Sequence, residues 1–147
     1  MRVEIIKDPA NESINVEIHC KDVTGEVTKL KRYIDNYSVG ISATDEGETY
    51  MVSLDEILYV ESVDKKTFIY TDEKVLSTDK RLYELENMLD QRDFFRCSKS
   101  VIININKVTR LKPEISRNIL ATLSNGEVVV ISRRYAAELK KLLGIRS

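Results

Sequence analysis

The sequence is poor in the residues on which covalent or metal chemistry is built. Only two of its 147 residues are cysteine, Cys20 and Cys97, and neither belongs to a CxxC pair or a Cys/His cluster. A zinc finger is therefore excluded on ligand count, and reduced, buried thiols are expected rather than a bridge. The single histidine, His19, lies beside Cys20 in a strand-like run and is expected on a strand face, with no partners for catalysis. No Ser/His/Asp set, Gly-rich phosphate loop, metal cluster or isolated carboxylate pair appears, so no enzyme activity, catalytic residue, cofactor or metal site is expected. Apolar runs are short: Val101 to Ile103 and Val128 to Ile131 fall far below the roughly 20 residues of a membrane helix. Met1-Arg2-Val3-Glu4 opens no signal peptide, and a cytoplasmic protein is expected.

What the chain does have is charge, unevenly placed. The net charge is −1, but Lys and Arg stand against Asp and Glu as 6 to 10 in residues 1–50, 5 to 10 in residues 51–90, and 12 to 4 in residues 91–147, which is −4, −5 and +8. A basic C-terminal third on an acidic remainder is an electrostatic footprint for a polyanion, and the acidic part limits non-specific binding.

The length suits one domain, or one domain with an extension, able to bury a core without disulfides or metal. Val3 and Ile5, then the alternation Ile14, Val16, Ile18, Cys20, predict two strands separated by a turn at Asp8-Pro9-Ala10-Asn11. After Thr24-Gly25 the spacing of Val27, Leu30, Ile34 and Tyr37 predicts a helix of about three turns. Strands follow over Val39 to Ala43 and Tyr50 to Leu54 across Asp45-Glu46-Gly47. Ile57 to Val60 forms a more continuous apolar run, as a strand buried on both faces needs. The meander continues with Phe68 to Thr71 and Lys74 to Ser77. Thr78 or Asp79 can cap a helix with Leu82, Leu85, Met88 and Leu89 on its core face. Val108 to Leu111 precedes Lys112-Pro113, and Ser124-Asn125-Gly126 joins Ile119–Leu123 to Val128–Ile131 as a hairpin. Ser132 caps a last helix burying Ala136, Leu139, Leu142 and Leu143 and ending at Gly144.

Two stretches stand out. In Arg92 to Asn106, Phe94-Phe95 and Val101-Ile102-Ile103 flank a polar, cationic knot of Arg96, Ser98, Lys99 and Ser100, the chemistry of anion binding. An amphipathic strand with a solvated polar end explains the same residues equally well. Val128 to Tyr135 repeats the plan, an apolar run feeding Ser132, Arg133 and Arg134. Arginines at a helix N-terminus oppose the helix dipole by a few tenths to about 1 kcal/mol each. A phosphate or base partner reverses that sign, which makes this local conflict the best residue-level sign of a site. Lys80 and Arg81, in the first turn of the middle helix, carry the same conflict more weakly.

Together these stretches resemble the LytTR family of bacterial transcription-factor DNA-binding domains. The resemblance covers roughly residues 45 to 146. It rests on four motifs in order: Leu54-Asp55-Glu56-Ile57-Leu58-Tyr59-Val60-Glu61-Ser62; Phe94-Phe95-Arg96-Cys97 with Ser100 to Asn104; Asn125-Gly126; and Ile131-Ser132-Arg133-Arg134-Tyr135. It implies a mainly β fold, α+β overall: an elongated stack of small antiparallel sheets with short helices. Residues 1–44 are then an N-terminal strand/helix extension for dimerisation or partner binding, and residues 45–147 the DNA-binding domain. The extension is too short for a receiver domain, so the expectation is a regulator without its own phosphorylation switch.

The resemblance also implies roles. The loop after the first motif, with Lys65 and Lys66, approaches DNA, although two lysines in a hairpin loop also serve solubility. Ser98 and Lys99 stand where receiver-linked members often carry His and Arg or Asn, which leaves base preference open. Ser100 looks like the family's phosphate-contacting serine, Asn104 organises backbone, and Arg134 rather than Arg133 is the groove-reaching arginine. The implied partner is double-stranded DNA with paired repeats, bound by a homodimer through loops in successive major grooves, with a membrane protein as a candidate regulator. The competing class is a protein interaction module, a dimeric adaptor or antiregulator whose basic face has no DNA specificity.

Overall fold

The computed structural model describes residues 1–37 and 40–144, with two compact units dividing between Asp35 and Asn36. In the first unit the turn at residues 8–11 forms, with the Asn11 N–H donating to the Asp8 carbonyl at 3.0 Å. The two flanking strands do not. Residues 1–20 carry no regular element, and Ile14 and Val16 are 91% and 59% exposed. Alternation supplies a one-sided apolar strip, but a strand exists only against a partner, and among the described residues this one has none. Cys20 and His19 are consequently exposed rather than on a buried strand face. The helix forms as expected: α1 spans Gly25–Tyr37, its last two residues belonging to the second unit, with the Thr24 hydroxyl accepting from the Val27 N–H at 3.4 Å and Lys31 paired with Asp35 at 2.7 Å.

The second unit is mainly β. Its strands are β1 (Gly40–Asp45), β2 (Glu48–Ser53), β3 (Tyr59–Val63), β4 (Lys66–Tyr70), β5 (Val75–Thr78), β6 (Phe94–Arg96), β7 (Val101–Asn104), β8 (Val108–Pro113), β9 (Ile119–Leu123) and β10 (Val128–Ile131). Helix α2 (Leu82–Met88) lies between β5 and β6, and α3 (Arg133–Leu143) follows β10. Val39, expected to open the first strand, lies outside the described residues. A division at 44/45 would cut β1, which is hydrogen-bonded along its length to β2. The strands form two antiparallel sheets, one of seven in the order β2-β1-β5-β4-β3-β7-β6 and one of three in the order β10-β9-β8.

Adjacent apolar residues explain how one sheet serves two cores. Side chains alternate across a strand, so doublets split. Ile57, Phe94 and Ile102 enter a core with Val60, Ile69, Leu82 and Leu85, whereas Leu58, Phe95 and Ile103 enter a second core with Ala121, Leu123, Ile131 and Leu139. The first core lies under α2, the second under the small sheet and α3. Ile57 and Leu58 are both fully buried, as the continuous run required. Cys97 is also fully buried in the second core, and loss of solvent around its sulfur pushes the thiol up to about 12. Asn104 stitches the two cores' shared wall: its amide donates to the Ile57 carbonyl at 2.8 Å and its oxygen accepts from the Asn106 N–H at 3.0 Å.

Two helix details differ from expectation. The N-cap of α2 is Arg81, not Thr78 or Asp79, because β5 continues to Thr78; Glu84 reaches back to the Arg81 N–H at 3.1 Å. In α3, Ala136 and Leu139 are buried, but Leu142 and Leu143 are 40% and 39% exposed. The last turn runs past the edge of the small sheet's core before Gly144 ends it in the left-handed region, at φ 69°.

Candidate nucleic-acid interface

The middle of the candidate site is the loop between β6 and β7. Its backbone closes with the Cys97 N–H donating to the Val101 carbonyl at 3.0 Å, and the Ser98 hydroxyl accepts from the Ser100 N–H at 3.2 Å. The Arg96 guanidinium, whose chemistry suits an anion, is turned inward and not presented to solvent. Its guanidinium folds onto the loop, donating Nε–H to the Ser98 carbonyl at 2.7 Å and a terminal N–H to the Lys99 carbonyl, and it pairs with Glu86 of α2 at 3.6 Å. The arginine therefore shapes the loop from inside. Lys99 is left exposed, with Ser98 and Ser100 half-buried beside it.

Two backbone hydrogen bonds join this loop to its neighbours. On one side the Ser62 N–H, in β3, donates to the Ser100 carbonyl at 2.8 Å. Two and three residues on, Asp64 and Lys65 take φ values of 50° and 66°, the paired left-handed residues of a tight hairpin turn closed by the Val63–Lys66 pair. Lysine has no preference for that region. The turn is held by Arg81, whose guanidinium donates to the Lys65 carbonyl at 2.7 Å. Arg81 thus serves the turn instead of offering a charge at the head of α2. Lys65 in the turn and Lys66, the first residue of β4, are both exposed.

On the other side the Ser132 N–H donates to the Cys97 carbonyl at 2.8 Å, which ties the start of α3 to the same loop. Ser132 is the N-cap residue, but its hydroxyl makes no cap bond. The cap comes from across the fold: Asn118 accepts from the Arg133 N–H at 2.9 Å. Arg133 and Arg134 are exposed, and the Arg134 guanidinium lies 5.7 Å from the Tyr135 ring centre.

Of the seven residues expected from the sequence, five are exposed cations (Lys65, Lys66, Lys99, Arg133, Arg134) and two are half-buried hydroxyls (Ser98, Ser100). They sit on three segments whose backbones are bonded to one another through Ser62–Ser100 and Cys97–Ser132. The supporting residues Arg96, Arg81, Glu86 and Asn118 were not legible in these roles, because each acts on a carbonyl, a backbone N–H or a partner remote in sequence. Among the described residues no helix is long and apolar enough to cross a membrane.

Comparison with known proteins agrees with this geometry. The model of the LytTr DNA-binding domain matches residues 47–144. The sensory transduction protein LytT of Bacillus anthracis is 36% identical over 129 residues, which is 88% of this chain and 48% of that protein. The transcriptional regulatory protein YpdB of Escherichia coli K12 is 25% identical over 104 residues, 70% of this chain and 43% of that protein. The chain thus spans about half the length of the curated relatives it matches. A solved structure, the LytTr DNA-binding domain of a protein described as a methyl-accepting/DNA response regulator from Bacillus cereus, superposes with a TM-score of 0.70 at 30% identity, covering 74% of this chain and 99% of that one. With the family model spanning two thirds of its 147 residues, the chain belongs to the LytTr DNA-binding domain family.

Proposed function

We propose that the chain is a sequence-specific DNA-binding transcriptional regulator that inserts its loops into successive major grooves of a duplex carrying paired repeats. The observation that carries this reading is the bonding of three cationic segments, the β3–β4 turn, the β6–β7 loop and the head of α3, into one framework. Lys99, Arg134 and one of Lys65 or Lys66 reach base edges; Ser98, Ser100 and Arg133 hold phosphates and set register. The division follows chemistry, since exposed long cations can enter a groove whereas half-buried hydroxyls reach only the backbone that passes over them. The dipole conflict at Arg133 and Arg134 is resolved by the same partner, because phosphate at a helix N-terminus is favourable and recruits their charge.

The test is binding of the wild type and Arg134→Ala to the DNA upstream of the chain's own gene, a scrambled duplex and a pool of random duplexes, at several salt concentrations. Expected is selection of a repeated motif whose affinity falls steeply with salt. Arg134→Ala should lose about 1 to 3 kcal/mol of preference while keeping non-specific binding. No selection from the random pool, with equal weak binding throughout, overturns the reading in favour of an interaction module.

A further inference from the structure

The first unit contains a helix with no core of its own. None of the described side chains of residues 1–35 is buried. An isolated helix of 13 residues is marginal in water, so its apolar stripe needs a cover. The stripe has a specific spacing. Val27, Leu30, Ile34 and Tyr37 follow one another at three, four and three residues, the a, d, a, d seam of a heptad rather than the broader face of a helix laid on a sheet. Thr28, Lys29, Arg32 and Asp35 occupy outer positions. Tyr37 is 70% exposed and Val27, Leu30 and Ile34 are half-buried.

We infer that α1 pairs in parallel with α1 of a second copy of this chain, forming a short two-stranded coiled coil. Three features of the sequence on this helix select that occupant. Both a positions are β-branched, Val27 and Ile34, and the first d position is leucine, the combination that favours two parallel strands. Glu26 falls at g and Lys31 at the following e, so in a parallel, in-register pair each Glu26 faces Lys31 of the other copy. An antiparallel pair would set Lys31 against its own counterpart. The seam is also self-complementary, as a symmetric pair requires. Lys31 now bonds Asp35 at 2.7 Å within its own helix, an exposed pair that exchanges readily for one across the seam.

The partner's effect on function follows from chain length alone. Gly40 opens β1 only three residues after Tyr37 closes α1, so joining two helices at their C-terminal ends delivers two DNA-binding units together. Two weak half-site contacts then become one tethered event, with the second gaining from effective concentration. This use rests on the proposed DNA reading, but the pairing itself is tested without DNA.

Sedimentation equilibrium of the full chain is the experiment. With barely two heptads, the wild type is expected to dimerise weakly, with a Kd in the micromolar range, and Leu30→Glu to remain monomeric at every concentration. Glu26→Lys or Lys31→Glu alone should weaken the dimer roughly fivefold, and the double exchange should restore it. In a Cys20→Ser background, Leu30→Cys should cross-link two copies on mild oxidation, because a d residue meets its own counterpart only in the parallel register. Among the described residues no core residue of the second unit precedes Ile41, so all these variants should keep the wild-type unfolding transition. A wild type monomeric up to ~100 µM, where a micromolar Kd would already fill the dimer, overturns the inference. So does a dimer that survives Leu30→Glu.

Discussion

At the scale of the residue, the same side-chain chemistry is used in opposite ways on either side of Cys97. Arg96, which ends β6, and Lys99, in the loop after it, are both cations, yet only Lys99 is presented outward, because the Arg96 guanidinium is consumed by the Ser98 and Lys99 carbonyls and by Glu86. A planar fork spreads its N–H donors over three nitrogens and can span two carbonyls and a carboxylate at once; an ammonium holds its three donors on one nitrogen and cannot reach so far. Arg96→Ala should therefore leave the loop without its internal brace. Amide hydrogen exchange at Lys99 and Ser100 should speed up, and DNA affinity should fall for every sequence alike, since presentation rather than a base contact is lost. Arg96→Lys should rescue neither. Unchanged exchange in Arg96→Ala would show that the brace is idle and that the strand pairing of β6 with β7 alone sets the loop.

At the scale of the element, periodicity read well wherever a partner existed to make it true. The run Ile57–Val60, the doublets Phe94-Phe95 and Ile102-Ile103, and the Asn125-Gly126 hairpin appear as the pattern requires, because each has at least one paired strand to hold its register. The alternation from Ile14 to Cys20 is just as regular but finds no strand partner among the described residues; it forms no regular element, and Ile14 and Val16 stay exposed. Pattern reports which face a segment could bury, not whether anything arrives to bury it. Site residues followed the same division. The exposed cations were readable from charge and from the helix-dipole conflict, whereas the residues that hold them were not, since Asn118 caps α3 from 15 positions away. Replacing that amide removes the acceptor for the Arg133 N–H while Ser132 makes no compensating side-chain bond. Asn118→Ala is accordingly expected to cost about 0.5–2 kcal/mol of stability, measured by urea unfolding. It should also lower DNA affinity beyond that of an equally destabilised core variant such as Leu139→Val. Equal affinities for the two variants would mean that the cap supports the fold only.

At the scale of the molecule, charge separation makes the DNA reading quantitative. The acidic first 90 residues and the basic remainder nearly cancel, so attraction to a polyanion depends on which cations face it and not on net charge. Lys65, Lys66, Lys99, Arg133 and Arg134 are the exposed cations on the bonded framework, whereas the Lys74 ammonium lies 3.9 Å from the centre of the Tyr50 ring, outside that framework. If each framework cation displaces one counterion from the duplex, binding of one copy to a single-site duplex should give log Kobs against log salt a slope of about −4 to −5. Arg133→Ala, which removes the cation assigned to phosphate, should reduce the slope by about 0.9. Lys74→Ala removes the same formal charge and should leave the slope unchanged, which separates a local contact from the overall field. Equal reductions in the two variants would mean that DNA responds to the diffuse charge of the chain and not to the three joined segments.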